Sequence, residues 1–224
     1  MKPKNISTQL DNAKSRPEQV QLIKFVHITK TAGTSIENIA NQSGIKWGRF
    51  DNAKLSQSPV QPGIPNKVSI WHLPLRFYQH NPYANCITFC VVRNPYTRMV
   101  SEFTCPHIGY RGVATPQILN TWIQQHLKKI QKNPFSYGLH FIPQHLYVYD
   151  KEMKPMITHV LHFENLKTEF KEFCDRYQLK LTLSEHANKR SQKVTVENLS
   201  QETKKLIESV YQQDFLLLDY PILR

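Results

Sequence analysis

The sequence predicts an α/β fold: a mostly parallel sheet of about four to five strands flanked by helices, in a single domain. Three observations predict it. Short β-rich runs alternate with amphipathic stretches along the chain. One of those runs, Cys86–Val92 (CITFCVV), is continuously apolar, as a central parallel strand covered on both faces must be. The length of 224 residues suits one substantial core, and strands alternating with helices imply right-handed parallel crossovers.

The elements follow in order. Residues 1–20 are poor in apolar side chains and read as a flexible tail, which leaves 21–224 as the domain. Leu22–Ile28 alternates and is β-rich, so a strand is expected. Ile36, Ile39 and Ala40 then recur at helical spacing, with Gly44 as a stop. Residues 46–67 carry Gly, Pro, Gln and Ser with little periodicity and read as a long loop or irregular insertion. Val68–Trp71 (VSIW) reads as a second strand, and Cys86–Val92 as the central one. Arg93-Asn94-Pro95 ends that strand and opens a helix with Tyr96, Met99, Val100 and Phe103 on one face. Thr115-Pro116 has the form of a cap and first helical residue ahead of Ile118, Leu119, Trp122, Ile123, Leu127 and Ile130. Ile157–Phe163 is the last expected strand. Leu166, Phe170, Phe173, Cys174 and Tyr177 form a helical stripe, and Ser200 caps a final helix carrying Leu206, Ile207, Val210 and Tyr211.

Composition bounds the partners. Twenty-nine Lys and Arg against 17 Asp and Glu give a formal charge of +12, which draws anions such as nucleotides, acidic glycans, nucleic acid or acidic membrane surfaces. Four cysteines (Cys86, Cys90, Cys105, Cys174) lack metal-ligand or redox spacing, so free thiols in a reducing setting are expected. The polar N-terminus has no signal-like apolar core, and no stretch approaches the roughly 20 apolar residues of a membrane span. A cytoplasmic location is therefore expected, with the earlier loss of a leader left open.

Two segments are built for anions. His27-Ile28-Thr29-Lys30-Thr31-Ala32-Gly33-Thr34-Ser35 runs from a strand end straight into a helix. Small residues let successive N–H groups turn toward an anion, the helix N-terminus adds unpaired donors, and Lys30 adds a full charge. The architecture is P-loop-like, but Lys30 precedes Gly33, so this is not the GxxxxGK[ST] loop of nucleoside triphosphatases. The second segment is Arg93–Ser101. Arg93 at the carboxyl end of a parallel strand points into the crevice where such sheets bind ligands, and Ser101 can add a hydroxyl donor. Arg98 could serve the same anion or a surface ion pair.

Lys-Thr-Ala-Gly-Thr-Ser after a strand resembles the 5′-phosphosulfate loop of carbohydrate sulfotransferases, the group that includes heparan sulfate 2-O-sulfotransferase. Ile87–Phe103 (ITFCVVRNPYTRMVSEF) is similar to that family's 3′-phosphate segment. Further resemblances follow in the family's order: His140–Gln144 (HFIPQ), Leu161–Leu166 (LHFENL), 186–191 (HANKRS) and Asp214–Tyr220 (DFLLLDY). The resemblance covers roughly residues 22–221 and implies a sulfotransferase-like nucleotide-binding domain over 21–224. It implies 3′-phosphoadenosine 5′-phosphosulfate as sulfuryl donor and a hydroxyl-bearing acceptor, a glycan that could be anionic. By the same resemblance, Lys30, Thr31, Ala32, Gly33, Thr34, Ser35, Arg93, Ser101, Asn188, Arg190 and Ser191 hold the nucleotide.

Sulfuryl transfer needs in-line positioning, charge neutralisation and a base near the hydroxyl. Lys30 is the candidate for the charge. His72, after the expected second strand, is the first candidate base, although Trp71 stands where the resembling family often has Gly. His140 is the alternative and Glu102 a third. No metal is expected: His159 and His162 would point to opposite faces of a strand, the five-residue spacing of His140 and His145 suits neither helix nor strand, and no Asp ends a strand. Arg49, Lys54, Lys67, Arg76, Arg111, Lys128, Lys129 and Lys132 could line an acceptor groove or form a solvated face. Two other classes fit less well. A nucleotide kinase or hydrolase would need the missing phosphate loop, and a non-catalytic polyanion or nucleic-acid binder would not need Lys30.

Overall fold

The computed structural model describes residues 22–66, 68–183 and 194–223. Three strands, β1 (Ile23–Val26), β2 (Ile87–Val92) and β3 (His159–His162), form a sheet in the order β1-β2-β3, with both pairs parallel. Ile23 lies opposite Ile87, and Phe89 opposite His159. All six residues of β2 are buried. Its run, apolar except for the hydrogen-bonded Thr88, therefore serves two faces at once, as a middle strand requires.

Alternation along the strands sorts the core. Phe25, Phe89, Val91 and Leu161 face α1 (Gly33–Gln42) and α6 (Leu166–Arg176), together with Trp47. Phe89 is the hub there, with ring centroids 4.9 Å from Phe25, 4.8 Å from Trp47 and 4.4 Å from Phe173. Truncating a fully buried Phe costs roughly 3–5 kcal/mol, so this one ring is a large part of a typical domain's margin. Val26, Cys90 and Val92 face the other way, onto Leu55, Leu73, Leu75, Tyr78, Tyr83 and Tyr147. Irregular chain, α2 (Asn52–Gln57) and the short α5 (His145–Val148) supply that cover. A separate helical cluster joins α3 (Pro95–Phe103), α4 (Pro116–Lys132), α7 (Gln201–Val210) and α8 (Gln212–Leu217).

The helix starts follow from their capping residues. The Asn94 side chain accepts from the N–H of Tyr96 with Pro95 next in line, Thr115 accepts from Ile118 with Pro116 next, and Ser200 accepts from Thr203. All four cysteines are free thiols. Among the described residues no helix is long and apolar enough to cross a membrane.

Two expectations need correction. Val68–Trp71 is not a strand: the chain turns through a 3-10 segment, Ile70–His72, just before Pro74. Val68, Ile70 and Trp71 pack on the sheet's second face instead of pairing along an edge. A four-residue run with three apolar side chains is satisfied equally by either, and Pro74 shortens the room for a strand. The sheet of the described residues accordingly has three strands rather than four or five. Residues 46–67, read as irregular, contain a 3-10 turn (Gly48–Asp51) and α2. The expected tail, residues 1–20, lies outside the described residues.

Candidate active site

The carboxyl ends of all three strands open on one cavity of about 750 Å³. That is a volume typical of small-molecule clefts. β1 delivers His27 to Thr34, β2 delivers Arg93, and β3 delivers Phe163. Of the residues singled out in the sequence, Lys30, Ala32, Gly33, Thr34, His72, Arg93, Ser101 and His140 line this space together. Thr31 and Ser35 are buried beside it, and the Thr31 hydroxyl donates to the carbonyl of Ile28 at 2.8 Å. Asn188, Arg190 and Ser191 lie outside the described residues.

The first loop is strained in a way that suits an anion. Lys30 and Ala32 both take left-handed conformations, with φ of 64° and 70°. Each costs a non-glycine residue on the order of 1–2 kcal/mol, a cost that persists only where the surroundings enforce it. Ala32 is the N-cap of α1, with no side-chain cap and no acidic residue in the first turn. The positive end of the helix is thus left for a ligand. Gly33 is required by the His27 ring, which lies so close that a Cβ at position 33 would overlap its edge.

Arg93 couples the two anion segments. Its Nη1 donates to the carbonyl of Lys30 at 3.1 Å, Nε donates to the Thr97 hydroxyl at 3.0 Å, and the guanidinium lies 4.0 Å from the centre of the Phe163 ring. Burial lowers its pKa to about 10, so it stays charged at neutral pH. The Arg93 backbone is gripped by Gln144, whose amide accepts from the Arg93 N–H at 2.8 Å and donates to its carbonyl at 2.7 Å. Asp214 holds the turn that carries Gln144, accepting from the N–H groups of Gln144 and His145 at 2.8 Å each. Glu164 accepts from the N–H of Asn94 at 2.9 Å and from Tyr220 at 3.1 Å. Three of the minor motifs noted in the sequence, 140–144, 161–166 and 214–220, are thus mutual braces around the Arg93 turn, while 186–191 lies outside the described residues.

Arg98 is neither a surface residue nor a cavity-lining one. It is fully buried, and its guanidinium donates to the carbonyls of Thr29, Ile142 and His140 and to the Thr29 hydroxyl, at 2.8–3.2 Å. It bolts the end of β1 to the 139–142 turn.

Three imidazoles stack at the cavity floor. The His27 and His72 rings are 4.6 Å apart and His72 and His140 are 5.8 Å apart, both edge-to-face. Two of the three rest on buried carboxylates. His27 Nδ1 lies 2.7 Å from Glu37, and His140 Nδ1 lies 3.1 Å from Glu102 Oε2. Glu37 also accepts from the N–H of Arg49 at 3.0 Å, and the Arg49 Nε stands 3.4 Å from its second oxygen. His72 has no such partner: its Nδ1 is buried without a hydrogen bond. Burial, followed by the neighbouring His27, His140, Arg98 and His107, pushes its pKa down to about 2.

Sequence reasoning placed Glu102 third among the bases and did not foresee the His27–Glu37 pair. Their partners are distant in sequence or lie across a loop, so spacing carries no signal for them. Of the basic residues proposed for an acceptor groove, Arg49 lines the cavity; Lys54, Arg76, Arg111, Lys128, Lys129 and Lys132 do not, and Lys67 is outside the described residues.

Comparison with known proteins adds one finding. A family model described as "Sulfotransferase family" matches residues 18–221. No curated protein and no solved structure matches the chain.

Proposed function

The chain belongs to the sulfotransferase family, and from that premise we propose that it moves a sulfuryl group from 3′-phosphoadenosine 5′-phosphosulfate to a hydroxyl of a carbohydrate. The observation that carries the donor assignment is the bond from Arg93 to the Lys30 carbonyl. That bond brings the two segments read as anion-binding together at the carboxyl ends of adjacent parallel strands, which supports their sharing one ligand. The left-handed turns at Lys30 and Ala32, the uncapped helix start and the charged Arg93 fit a doubly phosphorylated nucleotide.

In this reading the N–H groups of Thr31–Thr34 take the 5′ phosphate, the Ser35 N–H being bonded to the Ala32 carbonyl at 2.9 Å, and Lys30 offsets the charge at the reacting end. Arg93 and Ser101 take the 3′ phosphate. Asn188, Arg190 and Ser191 keep the nucleotide contacts that the resemblance gives them. The donor supplies the activated sulfuryl group.

For the base, His140 is preferred to His72. The Glu102 carboxylate can only accept, so it keeps the proton on His140 Nδ1 and leaves Nε2 to receive the acceptor's proton. His72 lacks an orienting partner, and its low basicity makes it a weak proton acceptor. Its neutral ring instead keeps a further positive charge off the floor of the cavity.

Labelled sulfate transfer from this donor to panels of glycans, lipids and small alcohols tests the reading. Label on a carbohydrate hydroxyl is expected. Transfer confined to lipids or small alcohols would overturn the acceptor class, and failure with every acceptor would overturn the donor.

A further inference from the structure

Beyond transfer itself, we propose that the cavity floor holds a zinc-type metal site made of Glu102, Cys105 and His140, and that metal bound there shuts the enzyme off. One ligand atom from each residue can be chosen so that all three lie within 4.8 Å of one another. Glu102 is fully buried, Cys105 is 3% exposed, and Cys105 and His140 both line the cavity, which leaves a fourth position open to it.

The backbone builds this arrangement rather than allowing it by chance. Glu102 lies in the last turn of α3, and the Cys105 N–H bonds back to the Glu102 carbonyl at 2.9 Å, which places the two side chains one turn apart. The 105–109 loop closes through the N–H of Gly109 to the carbonyl of Cys105 at 2.8 Å. A Cβ on residue 109 would stand 2.5 Å from the backbone of Cys105, so only glycine fits there and the loop cannot slide. Arg98 fixes the other side by holding the His140 carbonyl at 2.8 Å.

The ligand types choose the metal. One thiolate, one imidazole and one carboxylate with an open position suit Zn²⁺ or Co²⁺ and not Mg²⁺, which asks for an all-oxygen octahedron. Binding requires the Cys105 thiol to release its proton to water, so one proton leaves per metal at a neutral His140. The thiolate and carboxylate then balance the two charges of the ion against Lys30, Arg93 and Arg98 nearby. Metal on His140 and Glu102 replaces the contact that orients the proposed base, so metal occupancy and turnover exclude each other. That last step rests on the functional reading above; metal binding does not.

Titration of the purified protein with Co²⁺ separates the two. A thiolate-to-cobalt charge-transfer band should appear in the near ultraviolet and vanish on adding Zn²⁺. The band should be absent in Cys105→Ser, and Glu102→Gln should weaken binding by about tenfold or more. Micromolar Zn²⁺ should inhibit sulfotransfer by the wild type, with recovery on chelation, whereas Cys105→Ser should turn over normally and resist Zn²⁺. A band that survives Cys105→Ser, or no band in the wild type, would overturn the site. A band without inhibition would overturn only the regulatory half.

Discussion

Replacing Arg93 with Ala offers the sharpest test of the nucleotide site. Its guanidinium has two tasks that can be separated. It braces the first loop through the Lys30 carbonyl, and it is assigned the 3′ phosphate. Losing the brace should weaken every ligand of the loop. Losing the phosphate contact should weaken only ligands that carry the 3′ group. A charge-assisted hydrogen bond contributes on the order of 1.5–3 kcal/mol, or roughly ten- to 150-fold in affinity. Calorimetry with adenosine 3′,5′-bisphosphate and with AMP, on wild type and Arg93→Ala, closes a cycle in which the brace cancels. The expected result is a bisphosphate loss exceeding the AMP loss by that factor. Equal losses for the two nucleotides would mean that Arg93 is only a brace, and that the 3′ phosphate lies elsewhere.

Four further outcomes follow from the geometry. Lys30→Ala should abolish most turnover while circular dichroism and melting stay unchanged, because the side chain lines the cavity rather than filling the core. In single-turnover assays, His140→Ala should slow transfer by about 10²–10⁴-fold and Glu102→Gln should slow it too; a larger effect from His72→Ala would restore His72 as the base. Gly33→Ala should destabilise the fold by roughly 1–3 kcal/mol in urea titrations, since the His27 ring can move aside only by leaving its buried bond to Glu37. Finally, the folded protein keeps His72 neutral down to about pH 2, while the unfolded chain protonates near 6.5. The unfolded state therefore binds more protons below that point, and stability should fall with pH by up to about 1.4 kcal/mol per unit, a slope that His72→Asn should reduce.

The parts legible in the sequence were those whose signal is local. The mostly apolar run of β2, the caps at Asn94, Thr115 and Ser200, and the two segments that line the cavity each carry their signal within a dozen residues. Val68–Trp71 misled because three apolar residues in a run of four cannot reveal whether they meet a neighbouring strand or the face of a sheet. Arg98 was ambiguous for a related reason: nothing beside it in sequence shows that its partners are Thr29, His140 and Ile142. The carboxylates under His27 and His140 belong to the same class of long-range facts. So does the unpartnered ring nitrogen of His72, which no motif encodes.

Gln144 shows how a small sheet can open a mouth beside its middle strand without leaving orphaned amides. β2 is paired to the last residue, Val92 lying opposite His162, and the chain then diverges where the cavity opens. At Arg93 a side-chain carboxamide stands in for the missing neighbour, matching donor to carbonyl and acceptor to N–H as a peptide unit would. A primary amide is the one side-chain group that can present both halves of a peptide in one plane. Glutamate at this position would set two acceptors face to face, and a hydrophobe would strand both backbone atoms. The glutamine is in effect one rung of a strand that the fold omits, and its omission is what gives the cavity a door.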